Sequence, residues 1–357
     1  MTFSTLHKIN KIFYFTTLAL YLFVYFGMLF QIILGIVQLI IGFTLLVRRD
    51  ELSKTKKTKL IIYWILVIMA FFLILISSKF KYVVGNLFFV FVLPMAIATY
   101  FYFFTANINS ESFLEAEWEN LALFNYEINK EILEKYVPAG TEIDTWNNNC
   151  YVSLVGFMFK NTKVVGVKFP FHVNFEEVNL RFYVKHFENG EWKRGVVFIK
   201  EIVPKKAITF IANTLYQEHY ETQEMRHEVV ENVETKTFIY EWKNDKNWNT
   251  IHLETRKDFK EIEVDSEAEF ITEHYFGYTK INQKTTFEYE VIHPRWEQLD
   301  VLKHHVDIDF ENTYGTDFGF LQAQKPTSVF LAKGSKITVK NKRKLEFLNV
   351  LEHEMLI

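Results

Sequence analysis

FPFHVNFEEVNLRFYVKHFENGEWKRGVVFIKEIVPKK, running from Phe169 to Lys206, is the stretch from which the fold is read. Two runs of alternating apolar and polar residues flank Asn189-Gly190, the strongest short-range signal for a β-hairpin with a two-residue loop. Successive strand side chains point to opposite faces, so Glu177, Asn179, Arg181 and Tyr183 share one face. Val178, Leu180, Phe182 and Val184 share the other. The two-residue loop sets Arg181 opposite Phe198 and Asn179 opposite Lys200, with Glu177 diagonal to Lys200. The returning strand stops at Pro204, and Lys205 and Lys206 follow it. Carboxylate, guanidinium and paired amines thus come together on predicted rigid elements.

Other segments extend the pattern. Glu117–Tyr126 and Tyr151–Phe159 read as strands, the second following the turn-rich Trp146–Asn149. Asn129 is placed to cap a short helix, Lys130–Tyr136, which Pro138-Ala-Gly140 ends. A second helix is predicted over Ala207–Tyr216. Strand-like runs follow at Thr235–Trp242, Thr250–Thr255, Phe270–Thr279, Thr285–His293 and Ser328–Leu331. Many strands and only two helices point to a mainly antiparallel, barrel-like α+β domain.

The front of the 357-residue chain has another solvent preference. Residues 1–106 hold 10 Lys+Arg against 2 Asp+Glu, whereas the remainder holds 30 against 41. A basic, apolar front half before an acidic half describes an all-α transmembrane region bearing a globular domain. Four spans are predicted, at about 9–26, 29–47, 60–78 and 83–105, with a turn near Gly27 and a kink at Pro94. The first apolar run is too long for a signal peptide and is expected to be retained. The link Arg48–Lys59 carries Arg48, Arg49, Lys54, Lys56, Lys57 and Lys59, and the positive-inside rule sets it in the cytoplasm. Two further spans return the chain to that side. The expected localisation is therefore the bacterial inner membrane, multi-pass, with the domain cytoplasmic and the lipid bilayer as partner. The spans contain no Asp, Glu, Arg or central Lys, so they read as an anchor rather than a transport path. An acidic domain lacks the positive footprint that nucleic acid requires. Cys150 is the single cysteine and excludes an intrachain disulfide; it reads as an inert buried thiol.

WENLALFNYEINKEILEKYVPAGTEID (Trp118–Asp144), YVSLVGFMF (Tyr151–Phe159), NFEEVNLRFYV (Asn174–Val184), GVVFIKEIVP (Gly195–Pro204), EHYFGYT (Glu273–Thr279) and EYEVIHPRW (Glu288–Trp296) resemble, in order, the YqjF-like family (DUF2071), bacterial domains of unknown function. The likeness covers about residues 117–335, leaving 107–116 as a linker and 336–357 as a C-terminal tail. It implies a fold similar to acetoacetate decarboxylase. That enzyme family uses a Schiff-base lysine preceded by another lysine in a Pro-Lys-Lys context, with a glutamate nearby. Pro204-Lys205-Lys206 resembles that signature, with Glu177 as the glutamate. The implied roles are Lys206 as the attacking amine and Lys205 as the neighbour that lowers its pKa. An amine attacks a carbonyl only when neutral, and a nearby ammonium favours that form. The other reading keeps both lysines solvated in a helix's first turn and pairs Glu177 with Lys200 across the strands.

Arg181 has the planar fork that binds a carboxylate. With Asn179 and Tyr183 it forms a binding face, and His274, Tyr278 and His293, from matching motifs, are further candidates to line the same pocket. His304, His305, Asp307 and Asp309 are the one metal-like cluster, and an exposed polar face accounts for them more simply. Nothing fits a phosphate loop, a dinucleotide fingerprint, a zinc-protease helix or a nucleophile-elbow serine. No cofactor or metal is expected. The sequence leads to a small carboxylate or carbonyl compound, bound or processed, with a decarboxylase-like lyase and a non-catalytic scaffold as the alternatives.

Overall fold

The structure is a computed structural model that describes residues 2–21, 24–52, 54–77, 91–106, 112–244 and 247–347. The chain divides into two compact units, residues 1–111 and 112–357. The first is helical: α1 (Phe3–Leu20), α2 (Val24–Val47), α3 (Lys54–Ser77) and α4 (Leu93–Ala106). Thr2 caps α1, its hydroxyl accepting from the Thr5 amide at 3.2 Å. The first break lies between α1 and α2 rather than near Gly27, which sits inside α2. There a β-carbon would lie 2.7 Å from the Tyr21 backbone, so Gly27 permits a close approach instead of a turn. Among the described residues, two helices are long and apolar enough to cross a membrane, Phe26–Val47 and Lys56–Ile76, and Leu93–Ala106 is a shorter apolar helix. Residues 83–90 of the fourth predicted span lie outside the described residues.

This unit buries polar amides beside an apolar core of Leu6, Ile41, Leu45, Leu60 and Phe101, and leaves many apolar side chains on its surface. Gln38 donates to Asn10 at 2.9 Å, and Asn10 donates to Thr105 at 2.9 Å, joining three helices through buried amides. Ile32, Ile36, Ile40, Ile61, Ile65 and Phe72 are exposed. Buried amides together with so many exposed isoleucines and phenylalanines are unusual for a helical unit in water.

The second unit contains β1 (Ser112–Ile128), α5 (Lys130–Glu134), β2 (Glu142–Ile143), β3 (Cys150–Val164), β4 (Phe175–Glu188), β5 (Glu191–Val203), α6 (Lys206–Ile211), β6 (Tyr220–Thr222), β7 (Met225–Glu231), β8 (Thr235–Asn244), β9 (Asn247–Arg256), β10 (Lys260–Glu261), α7 (Glu267–Thr272), β11 (Phe276–Lys280), β12 (Thr285–Ile292), β13 (Glu297–Leu299), β14 (Val301–Asp307), α8 (Phe310–Tyr314), β15 (Ser328–Lys340) and β16 (Arg343–Glu346). The large sheet runs β10-β13-β15-β1-β3-β4-β5-β11-β12-β16 and is mostly antiparallel. It curls until Val291 and Ile292 of β12 pair with Val339 and Thr338 of β15. Only those two residue pairs join it there, so it is barrel-like without being a closed barrel. A smaller sheet, β14-β9-β8-β7, supplies Phe238, Tyr240, Trp242, Ile251 and Leu253 to a core shared with Val178, Leu180, Phe182 and Val184. Gly156 of β3 lets the two layers meet, because a β-carbon there would lie 2.7 Å from Ile251.

Several elements differ from the sequence expectation. Phe270–Thr279 is not one strand: α7 occupies its start, capped by the Ser266 hydroxyl, which accepts from the Glu269 amide at 3.1 Å. Asn129 precedes α5 but makes no side-chain cap. Residues 336–346 are not a tail, since β15 extends to Lys340 and β16 pairs with β12. His305 lies opposite His252 in β9, and Asp309 caps α8 by accepting from the Asn312 amide at 3.1 Å. Among the described residues no group of three or more His, Cys, Asp or Glu is placed to hold a metal ion.

Candidate ligand-binding site

The hairpin that organises the site turns at Asn189 and Gly190 with φ of 55° and 88°. Positive φ at both centres matches the twist of the flanking strands. Glu188 faces Glu191, and the register holds as far as Arg181 opposite Phe198. There β5 carries a bulge around Ile199. Beyond it Leu180 faces Lys200 and Asn179 faces Glu201, not Lys200. One extra residue exchanges the two faces of a strand. Lys200 leaves the site and pairs with Glu221 at 2.7 Å, so the expected Glu177–Lys200 ion pair does not form.

A cavity of about 230 Å³ lies on the Glu177–Arg181 side of the sheet. Trp118, Phe157, Phe159, Phe198, Phe276 and Trp296 make most of its wall apolar. Glu177, Asn179, Arg181, His274 and His293 line it, so the structure brings five of the predicted site residues together. Tyr183 stands behind them, its hydroxyl 2.6 Å from Ser153 and its ring 4.6 Å from that of His274. Tyr278 packs in the other core and donates to the Lys193 carbonyl at 3.3 Å. Lys205 is half-buried, Lys206 is exposed, and neither lines the cavity. The wall takes Ala207, Ile208 and Ile211 from the helix that Lys206 begins.

Arg181 is 7% exposed and forms no ion pair among the described residues. Its Nε has no hydrogen-bond partner, and its guanidinium lies 5.8 Å from the Tyr183 ring centroid. His274 Nε2 lies 3.2 Å from Asp144, which also accepts from Arg194 at 2.7 Å. Burial alone would raise the Asp144 carboxyl, but hydrogen bonds from His274 and Arg194 outweigh it and hold the group at about 2. Burial pushes His274 down to about 4, so its ring is neutral at pH 7. His293 Nδ1 donates to the Pro294 carbonyl at 2.9 Å, and its ring stacks between Tyr275 and Trp296. Burial lowers its pKa as well.

Three carboxyls make up an acidic pole. Glu177 accepts from Asn179 at 3.0 Å and from the Tyr220 hydroxyl at 3.1 Å. Glu218 accepts from Thr279 at 2.7 Å. Glu201 lies against Tyr220. Burial pushes Glu177 and Glu218 up to about 7. Burial, with repulsion from Glu218 and Glu177, raises Glu201 well above the carboxylate range. Glu201, Glu218, Tyr220 and Tyr289 escape sequence reasoning. Regular alternation sets Lys200, not Glu201, on the cavity face, and Glu218 falls in an irregular turn that has no period to read.

The mainly antiparallel α+β fold is similar to those of solved structures. An acetoacetate decarboxylase-like enzyme from Sphingomonas wittichii RW1 is similar with a TM-score of 0.47 at 10% identity, covering 67% of this chain and 95% of that one. The enduracididine biosynthesis enzyme MppR complexed with pyruvate has a TM-score of 0.48 at 10% identity, covering 65% and 90%. Neither assigns an activity here. Residues 115–336 match DUF2071, described as an uncharacterized conserved protein, and the chain belongs to that family. "Uncharacterized protein YqjF" of Bacillus subtilis (strain 168) is 26% identical over 182 residues, which are 50% of this chain and 72% of that protein.

Proposed function

We propose that this chain is a membrane-anchored protein whose domain binds a small, carboxylate-bearing organic compound. The observation that carries this reading is Arg181. Enclosed, with Nε unpartnered and no ion pair among the described residues, the guanidinium hydrogen-bonds Tyr183 and is attracted by Glu177, and a bidentate carboxylate supplies the remaining charge and hydrogen bonds. The aromatic wall favours a ligand with an apolar body. The exposed position of Lys206 argues against its acting as an enclosed Schiff-base amine. Borohydride added with a β-keto acid is expected to leave Lys206 unmodified, and an adduct mapped to Lys206 would restore the lyase reading.

The apolar surfaces of α2 and α3 support anchoring in the bacterial inner membrane, and the basic link between them supports a cytoplasmic domain. The bilayer is then the protein's standing partner, and the acidic domain leaves nucleic acid without a footing. The binding reading is tested by thermal shift of the full chain in detergent against short-chain and aromatic carboxylates. The parent is expected to be stabilised, Arg181→Lys less so, and Arg181→Ala not at all. An Arg181→Ala protein that responds to every carboxylate as the parent does would refute it.

A further inference from the structure

The carboxylate reading uses one pole of the cavity and leaves the other, acidic pole unused. Glu177 from β4, Glu201 from β5 and Glu218 before β6 line it and are 2%, 3% and 9% exposed. Tyr216, Tyr220 and Tyr289 line it beside them. Lys342 attracts Glu218 electrostatically, but its ammonium lies over the Phe287 ring at 3.5 Å and does not line the cavity.

This pole has more acceptors than donors. Asn179 turns its Nδ2 to Glu177, which fixes the amide's orientation, and its Oδ1 has no partner. Oε2 of Glu201 has none either. The Tyr220 hydroxyl lies against both Glu177 and Glu201, and its single proton serves only one of them. Protons held on the carboxyls can supply the missing donors. An ammonium group, with three N–H bonds and a charge that aromatic rings favour, supplies them all at once.

Resting on the carboxylate reading, we propose that the ligand is amphoteric: its carboxylate meets Arg181, and an ammonium meets Glu177, Glu201 and the free Oδ1 of Asn179. The strand sets the spacing. Asn179 and Arg181 are two residues apart and Glu177 and Arg181 four, about 7 and 13 Å at the usual rise. Those backbone spacings, with Glu201 on the neighbouring strand, suit two charges at opposite ends of an apolar body, as in an ω-amino acid, better than two charges on one carbon. The ligand arrives as an ammonium carboxylate, and one glutamic acid of the pole gives its proton to solvent as the ammonium docks.

Calorimetric titration of the full chain in detergent at pH 7, in two buffers of different ionisation heat, measures affinity and proton release together. The probes are 6-aminohexanoate, hexanoate and hexylamine. The expected result is that 6-aminohexanoate binds at least ~10-fold tighter than either single-headed probe and releases about one proton. Glu201→Gln is expected to remove that advantage and the proton release while leaving hexanoate affinity unchanged, which shows the cavity intact. Equal binding of hexanoate and 6-aminohexanoate, or binding without proton release, overturns the ammonium site and leaves the carboxylate reading standing. Equal binding of hexylamine and 6-aminohexanoate overturns the role of Arg181, and no binding by any carboxylate overturns both readings.

Discussion

Glu218 shows how burial couples one side chain to the whole stability curve. Its carboxyl rises from 4.5 to about 7 on folding, as does that of Glu177, so between those values the folded chain holds protons that the unfolded chain has released. Stability from these groups is present below about pH 4.5 and declines as pH rises through 7. His274 acts in the opposite direction between about 4 and 6.5, where the unfolded chain takes up the proton. Above pH 6.5 the raised carboxyls dominate, and the melting midpoint is expected to fall towards pH 8. Glu218→Gln removes one of them. At pH 8 it is expected to exceed the parent's stability by on the order of 2 kcal/mol, with the gap narrowing to within ~0.5 kcal/mol at pH 5. Urea titrations at the two pH values measure it, and a gap that widens at low pH would reverse the assignment.

At the scale of elements, β11 and β12 depend on one missing side chain. Gly277 faces Tyr289 in register, and a β-carbon at Gly277 would overlap the tyrosine ring. Tyr289 in turn hydrogen-bonds Glu218. Gly277→Ala is expected to cost about 1–3 kcal/mol in a denaturant melt and to loosen the acidic pole; an unchanged midpoint would mean that the ring moves freely. The β4–β5 hairpin marks what could be read from sequence and what could not. Alternation and Asn189-Gly190 were enough for the turn, the faces of β4 and the Arg181–Phe198 pair, because each depends on neighbours along the chain. The bulge at Ile199 leaves no mark in the alternation, and it replaces an amine on the cavity face by a carboxyl. The capping pattern Ser266-x-x-Glu269 was legible and would have separated α7 from β11. The close approach of Glu218 to Glu177 and Glu201 was not, since it depends on how an irregular turn folds back.

For the whole molecule, the proposed membrane anchoring sets the helical unit and the domain opposite solvation problems. Exposed Ile32, Ile36, Ile40, Ile61 and Ile65 would be a liability in water and are ordinary against lipid tails. The full chain is therefore expected to stay with membranes through alkaline carbonate extraction, and a fluorescent reporter at its C-terminus is expected to mature in the cytoplasm. Release by carbonate would remove the anchor from the reading, and a reporter folded only outside would reverse the orientation.

The seam between β12 and β15 gives the wall of the cavity uneven strength. β11 joins β5 through two residue pairs, Phe276–Gly195 and Gly277–Val196, and β12 joins β15 through two more. By contrast, β1 is zipped to β3 and β15 along nearly its whole length. The β11–β12 hairpin thus meets the rest of the wall through two short seams and is backed by β16, which pairs with β12 over four residues; it carries Gly277, Tyr289 and Val291 of the cavity wall. Local opening follows the fewest hydrogen bonds broken, so the wall opens first at these seams, at the cost of the Arg343 bridge between Glu288 of β12 and Glu188 of β4. The amides at the seams are expected to exchange with deuterium well before those of β1, and a ligand that bridges the hairpin and β4 would slow them selectively, much as a bolt holds a shutter.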